Sequence, residues 1–159
     1  MREVYDSELE VQIVMSYANL GTLKSIQSSG QSRLTEDELK PIMMQFLHAV
    51  ADIHSKNIIH RDIKPDNVLL KSSNKVEHNR KVCLADFGIA CLATDDASTT
   101  QLCGTPGFLD PYMLNPPEVP ETSLMTTTLR ATLKTDIFGV GSVFFGLVAG
   151  KPLITGECI

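Results

Sequence analysis

The chain contains 159 residues, of which 43% are hydrophobic, and its formal net charge is −5. This length allows one domain with its own core, and the acidic balance argues against a nucleic-acid or membrane-surface partner. The cysteines show no metal-ligand spacing, and the N-terminus shows no signal-peptide pattern. We therefore expect free thiols in a reducing, cytoplasmic compartment.

Two strands are predicted near the N-terminus. Leu9, Val11 and Ile13 alternate with polar residues. This period of two predicts a strand that continues to Met15. An earlier strand is expected to end at Val4–Tyr5, before a turn.

A long amphipathic helix is predicted after Thr35. Thr35 and Glu38 have the spacing of a capping box. The residues expected on its apolar face are Ile42, Phe46, Ala49, Val50 and Ile53. Pro41 removes one backbone hydrogen bond, so we expect the helix to bend there or to begin later than its cap suggests.

The second half of the chain predicts a hairpin, an irregular segment and a buried helix. Short apolar runs at 68–70 and 82–85 flank a polar loop. Residues 90–133 are rich in Thr, Ser, Pro and Gly, which predicts a long segment without regular structure. The uncharged run 137–150 is too short to cross a bilayer core of about 30 Å. It predicts a buried helix opened by Thr135–Asp136, and the residues expected on its broad buried face are Ile137, Val140, Gly141, Phe144, Phe145 and Val148.

The sequence HRDIKPDN at residues 60–67 concentrates polar chemistry before an apolar run. Asp62 can orient a hydroxyl and accept its proton, Lys64 can neutralise a phosphate, and the amide oxygen of Asn67 suits Mg²⁺. A second carboxylate, Asp86, stands in the sequence LADFGIA. These groups together favour phosphoryl transfer, in which catalysis is mostly positioning and charge stabilisation.

The two sequences resemble the protein kinase family. Residues 60–67 match the catalytic-loop pattern H-R-D-x-x-x-x-N, and residues 86–88 match D-F-G. The resemblance implies an α+β, protein-kinase-like fold with a mostly helical large lobe and small β-hairpins. Residues 1–18 would be the end of the small lobe and the hinge. Residues 19–159 would be part of the large lobe, with the activation segment at 86–112 and the apolar helix at about 136–150.

The resemblance also implies a role for each matching residue. Asp62 would be the catalytic base, Lys64 would lie against the transferred phosphate, and Asn67 and Asp86 would hold magnesium. Thr105, in a segment similar to the substrate-positioning loop of serine/threonine kinases, would bond toward Asp62 and Lys64. The implied reaction transfers phosphate from ATP to a Ser or Thr hydroxyl of a protein substrate.

Other residues match the adenine site of the family. Met15 stands at the gatekeeper position. Ser16, Tyr17 and Ala18 match the hinge that contacts adenine through backbone groups, and Leu69 matches the apolar floor beneath it. ATP and Mg are therefore the expected cofactors.

The family pattern also implies supporting and regulatory residues. Asp136 would support the backbone of the catalytic loop, while His60 and Phe87 would pack rather than react. Arg61 would clamp a phosphate that an upstream kinase places on Thr99 or Thr100. A solvated, unmodified polar loop is an equally good interpretation of that segment.

Several parts of the family pattern are absent from these 159 residues. The sequence contains no G-x-G-x-x-G loop and no V-A-I-K lysine, and the last large-lobe helices would be missing. Tyr112 stands where A-P-E has its glutamate, and Pro117–Glu118 is a displaced alternative. A truncated non-catalytic scaffold and an incomplete gene model therefore remain alternatives to a kinase. We expect the chain by itself to show negligible phosphoryl transfer.

Overall fold

A computed structural model describes residues 3–28, 34–72, 80–114 and 129–154. Its strands are β1 (Glu3–Asp6), β2 (Val11–Val14), β3 (Ile58–Ile59), β4 (Val68–Ser72), β5 (Arg80–Leu84) and β6 (Cys91–Leu92). Its helices are α1 (Leu23–Ser28), α2 (Glu36–His54), α3 (Asp96–Thr99), α4 (Pro111–Leu114) and α5 (Leu133–Ala149). The strands form three antiparallel pairs, β1–β2, β3–β6 and β4–β5.

The two predicted N-terminal strands are present as the pair β1–β2, in which Glu3 lies opposite Val14. β2 is shorter than the predicted strand, beginning at Val11. Every residue of both strands is exposed. Alternation predicted the strands correctly, but no described residue covers either face of the pair.

The helix α2 begins at Glu36, directly after its N-cap Thr35, and both hydrogen bonds of the predicted capping box are present. The predicted later start is wrong, because Pro41 lies inside the helix. The side chain of Gln45 donates to the carbonyl of Pro41 and to that of Arg80 in β5. The same side chain thus ties the helix to the hairpin β4–β5.

The helix α5 begins earlier than predicted and buries a different face. It starts at Leu133, because Thr132 caps it in a capping box with Thr135. The residues it buries are Asp136, Gly139, Val140, Ser142, Val143 and Gly146. Four residues expected on the buried face are exposed: Ile137, Gly141, Phe145 and Val148. Apolar residues lie nearly all around this helix, so periodicity could not select its buried side.

The core forms where α2 and α5 pack around the segment between β3 and β4. The rings of Phe46 and Phe144 meet edge to face, with centroids 5.9 Å apart. Ile63 lies in the same buried cluster, beside Gly139 of α5. The polar segment 60–67 is therefore held between the two long helices.

The segment predicted to be irregular, 90–133, contains β6, α3 and α4 within its described part. That prediction is wrong for these elements. They are too short, at two to four residues each, to show a period in the sequence. Pro117–Glu118 and Cys158 lie outside the described residues, and Cys83, Cys91 and Cys103 are free thiols. No helix in the described ranges has the length and apolar character needed to cross a bilayer.

Candidate active site

The backbone of the catalytic loop is fixed by one buried carboxylate, Asp136, from the first turn of α5. Its oxygens accept hydrogen bonds from the backbone N–H groups of His60 and Arg61, each at 2.9 Å. Nε2 of His54, at the end of α2, lies 2.9 Å from the same carboxylate. Arg61 has a φ of 67°, which is unfavourable for a residue other than glycine. These bonds hold that backbone in place, as predicted for Asp136.

Three side chains then converge on Asp62, which is 8% exposed. Thr105 donates to Oδ1 at 2.6 Å, and the Lys64 ammonium lies 2.7 Å from Oδ2. Lys64 also donates to the Thr105 hydroxyl at 2.7 Å. The amide of Asn67 donates to Oδ2 at 3.0 Å and to the Asp62 carbonyl at 2.8 Å. The predicted contacts of Thr105 with Asp62 and Lys64 are present.

These contacts set the charge of Asp62. Burial raises the pKa of its carboxyl group, but the hydrogen bonds from Lys64, Thr105 and Asn67 and the charge of Lys64 outweigh burial, so the pKa lies below its ordinary value. Asp62 is therefore ionised at neutral pH. An ionised carboxylate can accept a hydrogen bond from a hydroxyl group and can also accept its proton.

The end of the hairpin β4–β5 brings the second carboxylate toward Asn67. Val68 lies opposite Leu84, and the Ala85 N–H donates to the Asn67 carbonyl at 2.9 Å. Asp86 follows at once, with a φ of 62°, and its exposed carboxylate accepts a hydrogen bond from the N–H of Gly88. Asn67 and Asp86 thus stand at the same end of one hairpin.

The donor set at this end fits a magnesium ion. The amide nitrogen of Asn67 donates hydrogen bonds to Asp62, so the amide oxygen of Asn67 remains available to bind a cation. Mg²⁺ prefers oxygen ligands and is usually held by one or two protein groups, with phosphate oxygens and waters completing its shell. Within the described ranges, no three His, Cys, Asp or Glu side chains converge as a metal site. A site that relies on a nucleotide for most of its ligands matches this arrangement.

The comparisons with known proteins agree with this geometry. The model of the protein kinase domain matches residues 1–158. The chain belongs to the protein kinase family.

Its relatives in this family are catalytic chains and kinases of several kinds. It is 36% identical over 119 residues to the human phosphorylase b kinase gamma catalytic chain, liver/testis isoform, covering 75% of this chain and 26% of the relative. It is 30% identical over 159 residues to a probable myosin light chain kinase of Dictyostelium discoideum, covering 100% of this chain and 47% of the relative. The chain therefore spans less than half the length of these relatives.

Solved kinase structures share the fold. A chain of the CAK complex of Chaetomium thermophilum bound to ATP-gamma-S superposes with a TM-score of 0.76 at 28% identity, covering 98% of this chain and 44% of that one. A chain of the yeast CTDK-1 complex, an RNA polymerase II CTD kinase, has the same TM-score at 20% identity, covering 98% and 46%. The predicted α+β kinase-like fold is confirmed.

Two of the residues predicted to line the adenine site have largely exposed side chains. Met15 is 67% exposed and Tyr17 is 81% exposed. Leu69 is half-buried in β4 and pairs with Thr22 through an isolated β-bridge. The gatekeeper, hinge and floor roles, including those of Ser16 and Ala18, stay predictions.

The predicted regulatory residues lie around α3. The guanidinium of Arg61 donates to the carbonyls of Ile89 and Ser98. Thr99 is 1% exposed and donates to the Asp96 carbonyl, whereas Thr100 is exposed. In this conformation Thr100 is the accessible one of the two predicted phosphorylation sites.

The two residues expected to pack contact each other, and Phe87 is 45% exposed. The rings of His60 and Phe87 meet edge to face at 4.9 Å, and His60 Nε2 lies 2.9 Å from the Ala85 carbonyl. Sequence reasoning missed His54 as a third partner of Asp136. The position of His54, at the end of a helix and six residues before His60, could not single it out, because many surface histidines also stand near helix ends.

Gly104 is expected to be essential for the position of Thr105. It has a φ of 122°, and an added Cβ would lie 2.7 Å from both the Arg61 carbonyl and a Leu109 methyl group. Gly104→Ala should lower the free energy of unfolding by about 1–3 kcal/mol. Gly141→Ala is the matched control. Gly141 is an exposed helical residue with no atom within 4 Å of an added Cβ, so its replacement should stabilise by about 0.5–1 kcal/mol. Urea unfolding of both variants measures the difference, and equal effects would contradict the expectation.

Proposed function

We propose that this chain is the catalytic part of an ATP- and magnesium-dependent serine/threonine protein kinase. The observation that carries the proposal is the cluster of Lys64, Asn67 and Thr105 around Asp62. An ionised carboxylate beside an ammonium group suits a reaction that brings a hydroxyl toward a phosphate.

Each member of the cluster has a proposed part in the transfer. Asp62 orients the acceptor hydroxyl and takes its proton as the bond to phosphorus forms. Lys64 offsets negative charge on the transferred phosphoryl group. The hydroxyl of Thr105 donates to Asp62 and accepts from Lys64, which fixes the relative position of these two side chains. The Lys64–Thr105 contact supports Ser and Thr acceptors, because both residues stand in segments similar to those of serine/threonine kinases.

The proposed nucleotide site lies at the end of the hairpin β4–β5. Asn67 and Asp86 would hold the magnesium ion, which would neutralise the phosphates of ATP. The CAK complex, one chain of which shares this fold at 28% identity, is bound to ATP-gamma-S, which supports nucleotide binding by this chain.

Nucleotide binding to the natural full-length protein tests the magnesium site. Mg²⁺ is expected to raise the affinity for a non-hydrolysable ATP analogue at least tenfold, and Asp86→Asn should abolish this gain while leaving the magnesium-free affinity unchanged. The carboxylate of Asp86 is exposed and accepts only from Gly88 among the described residues, so the variant should fold. Asp52→Asn, an exposed change on α2, is the control. Isothermal titration calorimetry measures all three proteins, and a full magnesium effect in Asp86→Asn would refute the assignment.

A second candidate function is a non-catalytic scaffold. The exposure of β1–β2 favours it. The register places Val4, Val11 and Ile13 together on one uncovered face, which a partner could bury. The two candidates differ in phosphoryl transfer, which a scaffold lacks.

A further inference from the structure

A cavity of about 260 Å³ lies beside the Asp62 cluster. We call it the Pro65 cavity; its walls include Ile26, Pro65, Phe108, Ser142, Gly146 and Leu147. Its volume is several times the roughly 30 Å³ that one water occupies in the liquid. The cavity is therefore large enough for a side chain.

Two walls of the Pro65 cavity connect directly to residues that bond Asp62. Pro65 follows Lys64 in the chain, and the N–H of Phe108 donates to the carbonyl of Thr105 at 3.1 Å. Pro65 stands three positions after Asp62, a separation that an extended chain spans in at most about 11 Å. A polypeptide that presents a hydroxyl to Asp62 therefore has neighbouring side chains within reach of the cavity.

The chemistry of the walls selects among those side chains. Of the described residues that line the cavity, Lys151 alone is ionisable. The nearby carboxylate of Asp66 is paired with Lys24 at 2.8 Å. A basic side chain would thus lose its hydration without meeting a carboxylate among the described wall residues. An apolar side chain meets walls that are mostly apolar, with Ser142 and Lys151 as the polar exceptions.

The space itself depends on Gly146 of α5. Gly146 is buried and contributes no side chain to the wall. We propose that the Pro65 cavity binds one large apolar side chain, of the size of Leu, Met or Phe, from the polypeptide that carries the acceptor hydroxyl. This inference rests on the proposed function and makes the cavity a determinant of its substrate specificity.

Positional scanning with the natural full-length protein tests the inference. Peptides with one Ser or Thr acceptor are varied at each flanking position, and kcat/KM is measured with Mg²⁺ and ATP. At one position within three residues of the acceptor, Leu, Met or Phe should exceed Ala by about tenfold or more. Gly146→Leu, which fills the cavity, should remove this preference. Gly141→Leu adds the same side chain on the exposed face of the same helix and should keep it.

The outcomes distinguish a failure of this inference from a failure of the proposed function on which it rests. Three results would overturn the inference and leave the kinase activity standing. They are phosphoryl transfer without an apolar preference, transfer with a basic preference at every selective position, and an apolar preference that survives in Gly146→Leu. Absence of transfer to every peptide and to protein substrates would refute the proposed function itself. If Gly146→Leu does not fold, the wild-type scan still decides whether the apolar preference exists.

Discussion

Replacing Asp62 with asparagine is expected to lower kcat for phosphoryl transfer by about 10²- to 10⁴-fold, the usual contribution of a positioned acid or base. The amide cannot take the proton of the acceptor hydroxyl, and its nitrogen would face the hydroxyl or the Lys64 ammonium, both of which are donors. KM for ATP should change little, because the proposed magnesium ligands are Asn67 and Asp86. Steady-state kinetics of the natural full-length protein measure the effect. Equal kcat in both proteins would show that Asp62 is not the base.

The effect of Asp62→Asn on thermal stability is expected to depend on pH. The pKa of Asp62 is lowered in the folded chain, so its carboxylate stabilises the fold above the unfolded pKa of about 3.9 and ceases to do so as the pH falls through the lower folded value. The difference in Tm between wild type and Asp62→Asn should therefore be constant near neutral pH and shrink below about pH 3.9. A difference in Tm that stays constant on acidification would contradict this expectation.

Residues close together in the sequence predicted the helix start that is set by hydrogen bonds between those same residues. The hydroxyl of Thr35 and the carboxylate of Glu38 form the capping box that their spacing indicated. The same reasoning placed the start of α5 wrongly, because Thr132 and Thr135 are both plausible caps and the true box uses both. Local sequence could not choose between two threonines that cooperate.

Long-range contacts were predictable only where a family pattern specified them. The contacts of Thr105 with Asp62 and Lys64 join residues more than 40 positions apart, and they followed from resemblance, not from periodicity. The Pro65 cavity could not be predicted, because α1, the loop after Thr105 and the end of α5 meet there only in the folded chain. The buried side of α5 could not be predicted either, since the small residues Gly139 and Gly146 are buried while the large apolar residues Ile137 and Phe145 are exposed.

Replacing Asp136 with alanine is expected to lower the free energy of unfolding by about 3–5 kcal/mol, the usual loss when a buried polar network loses its central charge. The carboxylate is almost fully buried, and it alone receives the N–H groups of His60 and Arg61. Without it these two donors lose the partner that the structure gives them, and Arg61, with its positive φ, loses the hydrogen bond from its own N–H. Urea unfolding measures the loss.

Matched variants distinguish the contribution of the Asp136 carboxylate to stability from the contributions of neighbouring residues. His54→Ala removes one of three partners of Asp136 and should cost about 1 kcal/mol, while Asp52→Ala, an exposed change, should cost close to nothing. Asp136→Asn should fall between His54→Ala and Asp136→Ala, because the amide keeps one accepting oxygen but turns a donor toward the other N–H. An Asp136→Ala loss no larger than that of His54→Ala would mean that the two backbone N–H groups find other partners. The catalytic loop would then be held by its own packing, since Ile63 against Gly139 would remain as the contact that positions Asp62.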